Sequence, residues 1–244
     1  MRAATSIYDT TATRTIGEGV YFSLRKNIVN LNLKPGEALN VKAIAEKLGV
    51  SRTPVRDAFI TLEQEGLVDV YPQRGTSVSL IDLKRVDEEK FIRESLEEKA
   101  MELFMRAPSS AVLAQLAGNI RMQKECEQRN DCLEFLELDD QFHGAVFRAV
   151  GKELSWSLVQ NMSGHYRRVR LMSLWDSGVL SGVVPQHEAI LKSMEASDAA
   201  GVMAALGGHF SKICYDERNL MRAYPDYFKE DAGEDFLMKD FRGA

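Results

Sequence analysis

Ser51–Glu65, SRTPVRDAFITLEQE, is the stretch around which the rest of the chain is organised. Ser51 suits the N-cap of a helix, and Pro54 falls in the first turn, where its missing N–H costs nothing. Val55, Ala58, Phe59 and Leu62 recur at helical spacing, so one face is expected to be buried. Gly66, which can take positive φ, should end the helix. The opposite face carries Arg52, Thr53 and Arg56 in its first turn and a half. A helix-turn-helix protein places there the side chains that reach base edges and phosphates.

The flanks agree with this reading. Upstream, Asn40 to Val50 (NVKAIAEKLGV) reads as a short amphipathic helix ending at Gly49, which gives helix, glycine turn and second helix. Downstream, Leu67–Tyr71 and Thr76–Leu80 alternate apolar and polar residues around the turn Pro72-Gln73-Arg74-Gly75. That pair reads as a β-hairpin wing whose Arg74 tip could enter a minor groove. Before both, Gly19–Asn30 has helical periodicity through Val20, Leu24 and Ile28. It supplies the first helix of a three-helix unit, closed by Lys34-Pro35-Gly36.

From Pro35 to Val78, PGEALNVKAIAEKLGVSRTPVRDAFITLEQEGLVDVYPQRGTSV resembles the winged helix-turn-helix of the GntR superfamily of bacterial transcription regulators. The resemblance implies a double-stranded DNA operator as partner. Read onto that motif, the contacting residues are Lys42, Ser51, Arg52, Thr53, Arg56, Arg74 and Gly75. One recognition helix reads only a few base pairs, so a homodimer on a near-palindrome is expected.

At 244 residues the chain can hold two modest domains. Its apolar runs fall short of the ~20 residues of a membrane span, and the polar start MRAATSIYDTTATRTIGEG lacks a secretory apolar core. Cys126, Cys132 and Cys214 form neither a zinc pattern nor a disulfide framework. A cytoplasmic protein with no membrane partner is the expectation. The formal charge of −5 argues against a nucleic-acid binder only if the chain is taken whole. Residues 1–80 hold 10 Lys and Arg against 8 Asp and Glu, a net of +2, and residues 81–244 hold 21 against 28, a net of −7. So slight a basic excess means that DNA affinity depends on where the arginines point.

After Ile81 no convincing strand is visible as far as Ala223. Helices are expected at 83–105, 110–128, 131–150, 152–173, 184–195 and 198–221, with residues 177–182 as a Gly/Ser-rich linker. The fold class is therefore mainly α, a winged helix-turn-helix followed by an all-α bundle. Expected boundaries are a loose leader over 1–16, the winged helix over 17–81, the helical domain over 82–228 and a tail over 229–244. The aromatic segment Tyr224–Phe228 is expected to pack on the outside. This layout is similar to the FadR-like branch of the superfamily, whose effector domain is of the FCD type.

Within the bundle, Asp139 and His143 share a helix face among Leu136, Phe142 and Phe147. His187 and His209 each sit beside apolar residues of later helices. A single histidine on an apolar face is usually a satisfied core residue. Three of them with an aspartate make a nitrogen-and-oxygen set suited to a divalent transition metal. The resemblance implies the same, because metal-binding FCD domains carry an Asp and His on one helix and two His on later ones. Asp139, His143, His187 and His209 fall on that pattern in order, with zinc as the first choice and nickel or manganese behind it. His165, Arg168, Arg170 and Arg93 are candidates to meet a small carboxylate effector, against the alternative of solvated surface charge.

A metal-dependent hydrolase is the rival reading. The chain lacks H-E-x-x-H, G-x-S-x-G and a P-loop. An open metal position serves effector binding equally well, so a metabolite-responsive regulator is the expectation.

Overall fold

The computed structural model describes residues 15–71, 73 and 75–229, less the side chains of 177 and 212–218. These residues fall into two compact units. One runs to Lys84 and includes the segment from Tyr224; the other spans Arg85–Ala223.

In the first unit, α1 (Ile16–Val29) opens with a capping box in which Thr15 and Glu18 satisfy each other's backbone N–H groups. Next come a two-residue strand β1 (Ala38–Leu39), α2 (Val41–Leu48) and α3 (Arg52–Gln64). The hairpin is β2 (Val68–Tyr71) and β3 (Gly75–Val78). The strands form one antiparallel sheet in the order β1-β3-β2, with Ala38 opposite Ser77 and Val68 opposite Val78. A strand as short as β1 carries no period and was not foreseen. Gly49 at φ 65° and Gly66 at φ 71° take the left-handed backbone that closes α2 and α3. Val20, Leu24, Ile28, Val55, Phe59, Leu62, Leu67 and Val78 make the core. Each fully buried aliphatic side chain there contributes about 1.5–3 kcal/mol.

The second unit is helical: α4 (Leu83–Phe104), α5 (Ser110–Arg129), α6 (Cys132–Ala149), α7 (Glu153–Met162), α8 (Gly164–Ser173), α9 (Ser177–Glu195) and α10 (Ala199–Ala223). It departs from expectation in two places. The helix expected over 152–173 breaks at Ser163, whose backbone (φ −89°, ψ 37°) leaves the helical region. The freed N–H groups of His165 and Tyr166 both donate to the buried carboxylate of Glu89, at 2.8 Å each. Residues 177–182 are not a linker but the start of α9. Asp176 caps Gly178 at 2.8 Å, and burial of Leu180, Val183 and Val184 outweighs the low helix propensity of the glycines.

The segment Tyr224–Phe228 joins the end of the wing rather than the bundle. Ile81 N–H donates to Tyr227 O (2.7 Å), Lys229 N–H to Ile81 O (3.0 Å), and Phe228 is buried. Among the described residues no helix is long and apolar enough to cross a membrane.

Candidate functional site

The face of α6 that carries Phe135, Leu138, Phe142 and Val146 inward also carries Asp139 and His143 one turn apart. His187 comes from α9 and His209 from α10. All four are buried, and one ligand atom from each lies within 4.8 Å of the others. Nε2 of His143 is 3.2 Å from Nε2 of His209 and 3.9 Å from Asp139 Oδ2, while His187 Nε2 is 3.4 Å from Asp139 Oδ1. Donors held tetrahedrally at 2.0–2.1 Å from zinc stand about 3.3 Å apart, so this set fits a first-row ion. His187 Nε2 is buried without a hydrogen bond among the described residues, which a core histidine seldom tolerates.

Each ring turns its other nitrogen to a side-chain oxygen. His187 Nδ1 is 2.7 Å from Gln123 Oε1, and His209 Nδ1 is 2.8 Å from Gln186 Oε1. His143 Nδ1 lies 2.7 Å from Glu97 Oε2, an ion-pair contact off hydrogen-bond alignment. Burial pushes the His187 imidazole down to about 3, against the opposing pull of Asp139. Burial also holds His209 well below its ordinary value, helped by His187 and His143. Both rings are therefore neutral and can act as ligands across the physiological range.

Beside the donors lies a knot of buried charge. Arg170 pairs with Asp139 and with Asp140 Oδ1 (2.8 Å), and Arg167 pairs with the other oxygen of Asp140. Arg93 reaches Glu97, Asp139 and Asp140. Burial alone would raise Asp139, but Arg170, then His143, His187 and Arg93, hold its carboxyl well below the usual range. Burial of Asp140 is overcome by Arg170, Arg93 and Arg167 in the same direction.

A cavity of about 40 Å³ adjoins this knot, lined among others by Arg93, Asp139, Tyr166, Arg170, Gln186 and His209. Of the four effector candidates, Arg93 and Arg170 line it. His165 and Arg168 do not. On α8 the cavity side is Tyr166, Arg170 and Ser173, one helical stripe, and positions 165 and 168 fall on another. There the buried Arg168 Nη2 lies 3.1 Å from His165 Nδ1.

Glu89, Glu97, Asn119, Gln123 and Asp140 were not foreseen. Glu89, Arg93 and Glu97 stand four residues apart beside Val86, Ala100 and Met101. That spacing within so charged a helix was the available signal.

Gly144 is fixed by close approach. A Cβ there would sit 2.6 Å from Trp156 Nε1, and the indole in turn packs over the Arg93 guanidinium at 5.6 Å. Gly144→Ala should cost about 1–3 kcal/mol in urea unfolding and shift tryptophan emission. Unchanged stability and emission would show that the indole has room to move.

In the first unit, Arg52, Thr53 and Arg56 are exposed on one side of α3, as are Lys42 and Gly75. Neither Arg52 nor Arg56 has an ion pair among the described residues. Ser51 holds the N-cap position, but its hydroxyl makes no capping bond. Arg74 lies outside the described residues.

Residues 16–78 match the profile of bacterial regulatory proteins of the gntR family, and residues 91–212 match that of the FCD domain. Over 220 residues the chain is 34% identical to an uncharacterised HTH-type transcriptional regulator in an unstable DNA locus of Streptomyces ambofaciens, covering 90% of this chain and 92% of that protein. It belongs to the GntR family. This GntR chain is also 30% identical to the HTH-type transcriptional repressor RspR of Escherichia coli K12, over 90% of its own length and 96% of the relative's. Among solved structures, E. coli McbR/YncC superposes with a TM-score of 0.72 at 20% identity, covering 87% of this chain and all of that one, a likeness of fold. A GntR protein of this kind is a DNA-binding transcription regulator with an FCD domain, not an enzyme, and the hydrolase alternative falls.

Proposed function

We propose that this regulator works as a homodimer on a near-palindromic operator, with DNA affinity set by a small carboxylate metabolite bound beside a divalent transition metal. The observation that carries the reading is the convergence of Asp139, His143, His187 and His209, two of which, Asp139 and His209, also line a cavity shared with Arg93 and Arg170. Zinc suits the donor set first, then nickel or manganese, while calcium and magnesium prefer all-oxygen shells. Charge supports an anionic effector. Arg93, Arg167 and Arg170 face Glu97, Asp139, Asp140 and Glu137, three cations against four anions, so the knot by itself carries no spare positive charge. A divalent ion adds two positive charges and a coordination position for an anionic oxygen. The cavity volume favours a small acid.

Elemental analysis and native mass spectrometry of protein purified without chelator or histidine tag should find one transition metal per chain in a dimer. Operator affinity should respond to small carboxylates only while that metal is present. A metal-free monomer whose DNA binding ignores chelator would refute the reading.

On the DNA side, Arg52 and Arg56 are proposed to meet base edges, with Lys42 on a phosphate. Arg52→Ala should weaken operator binding by about 1–3 kcal/mol and relax sequence preference. Lys42→Ala should weaken all sequences alike and flatten the salt dependence. Titrations against operator and scrambled duplexes at several salt concentrations decide it. Unchanged specificity in Arg52→Ala would place base recognition elsewhere.

A further inference from the structure

We infer that Gln123 and Asn119 of α5 are positioning residues for the metal, presetting His187 as the Nδ1–H tautomer so that its Nε2 lone pair faces the centre. The inference rests on the metal reading above.

A backbone carbonyl can only accept a hydrogen bond. Leu138 O, on α6, accepts from Asn119 Nδ2 at 3.0 Å, which fixes which end of the Asn119 amide is the oxygen. That oxygen accepts from Gln123 Nε2 at 2.6 Å, which fixes the Gln123 amide in turn. Gln123 then presents Oε1 to His187 Nδ1 at 2.7 Å. An amide oxygen has no proton to give, so the ring's proton must sit on Nδ1 and a neutral ring must leave Nε2 bare.

The opposite tautomer would donate from Nε2 to Asp139 Oδ1, 3.4 Å away, and set a nitrogen lone pair against an oxygen lone pair across 2.7 Å. The relay therefore selects against the contact that would close the site. Ring rotation is no escape, because Phe142 stacks on His187 with centroids 4.4 Å apart and planes 19° from parallel. Asn119 and Gln123 are themselves buried, so neither amide can borrow solvent to flip. Among the described residues, the His187 acceptor is traced through Gln123 and Asn119 to the backbone of another helix. The cost is a buried, bare Nε2, which the structure shows.

Long-range ¹H–¹⁵N correlation spectra of the metal-free, histidine-labelled full chain test the tautomer directly. His187 should show the Nδ1–H pattern. Gln123→Leu should lose that pattern and raise the Kd for cobalt(II), read from its d–d absorption, by about 10–100-fold. Gln123→Glu keeps an acceptor oxygen at Nδ1 and should restore most of the affinity. Should Gln123→Leu fail to fold, Asn119→Ala removes the anchor instead and should shift the same two readouts in the same direction. An Nε2–H pattern for His187 in the wild type, or cobalt affinity unchanged in a folded variant lacking the relay, would overturn the inference alone. A wild type that takes up no stoichiometric cobalt would overturn the metal reading, and this inference with it.

Discussion

Arg170→Ala is expected to destabilise the metal-free protein by about 3–5 kcal/mol at neutral pH, because it strips the cation from two buried carboxylates at once. Arg170 pairs with Asp139 and holds Asp140 at 2.8 Å. Arg93 stands farther off, at 3.5 and 3.3 Å, and Arg167 pairs with Asp140 and Glu137 but not with Asp139. The pH dependence separates lost charge pairing from lost packing. Both carboxyls are held below their ordinary value in the fold. Their stabilisation is thus present above the unfolded pKa of about 3.9 and is lost as pH falls through the folded values. Without Arg170 each carboxyl loses the largest charge that holds it down and moves up, so acidification costs the variant less than it costs the wild type. The deficit measured by urea unfolding should therefore narrow on acidification. A deficit independent of pH would mean that Arg170 matters for its packing alone.

Chelator is expected to lower the melting temperature of metal-loaded protein. A ligand that binds only the folded state adds about 2.7 kcal/mol at a hundredfold excess over its Kd. His143→Ala and His209→Ala should each remove most of that response. Isolated imidazoles would give up a metal as they protonate near 6.5. The folded values of His187 (about 3) and His209 (lower still than ordinary) change this expectation. Both rings are depressed, so their stabilisation is complete above the unfolded pKa of about 6.5. It erodes below that value by about 1 kcal/mol per pH unit for each ring, because the unfolded state takes up the protons. Metal release should accordingly track loss of helical circular dichroism through the acid transition. Release near pH 6 with the helix signal intact would show that the rings titrate in the folded state.

The winged helix was legible because its signals are local: caps, glycine stops and a hairpin turn each lie within a few residues of what they determine. The cluster of Asp139, His143, His187 and His209 was legible because aspartate and histidine are rare among apolar helix residues, and Asp139 and His143 share a face by spacing alone. The residues that support the donors were not. Glu97, Gln123 and Gln186 touch a histidine only after five helices have packed, and nothing in a sequence gives the rotation of one helix against another. Glu89 and Glu97 sit within LKRVDEEKFIRESLEEKAMELF, where a run of charge reads as a wet surface. Burial of one row of that helix is a tertiary fact. The error at 177–182 has the opposite origin: glycine and serine argued for a loop, and burial of Leu180, Val183 and Val184 overrode them.

Glu89, Arg93 and Glu97 line one edge of α4 at a strict four-residue interval, and each engages a different part of the bundle: the start of α8, the aspartates of α6, and His143. The helix behaves here as a toothed rack. Substitutions on its outer side leave the teeth alone. One residue inserted or deleted between positions 89 and 97 turns everything beyond it by about 100°. Phase, more than composition, is what this helix has to preserve between positions 89 and 97: its charged exterior can change, but the spacing of the three teeth cannot change by a single residue.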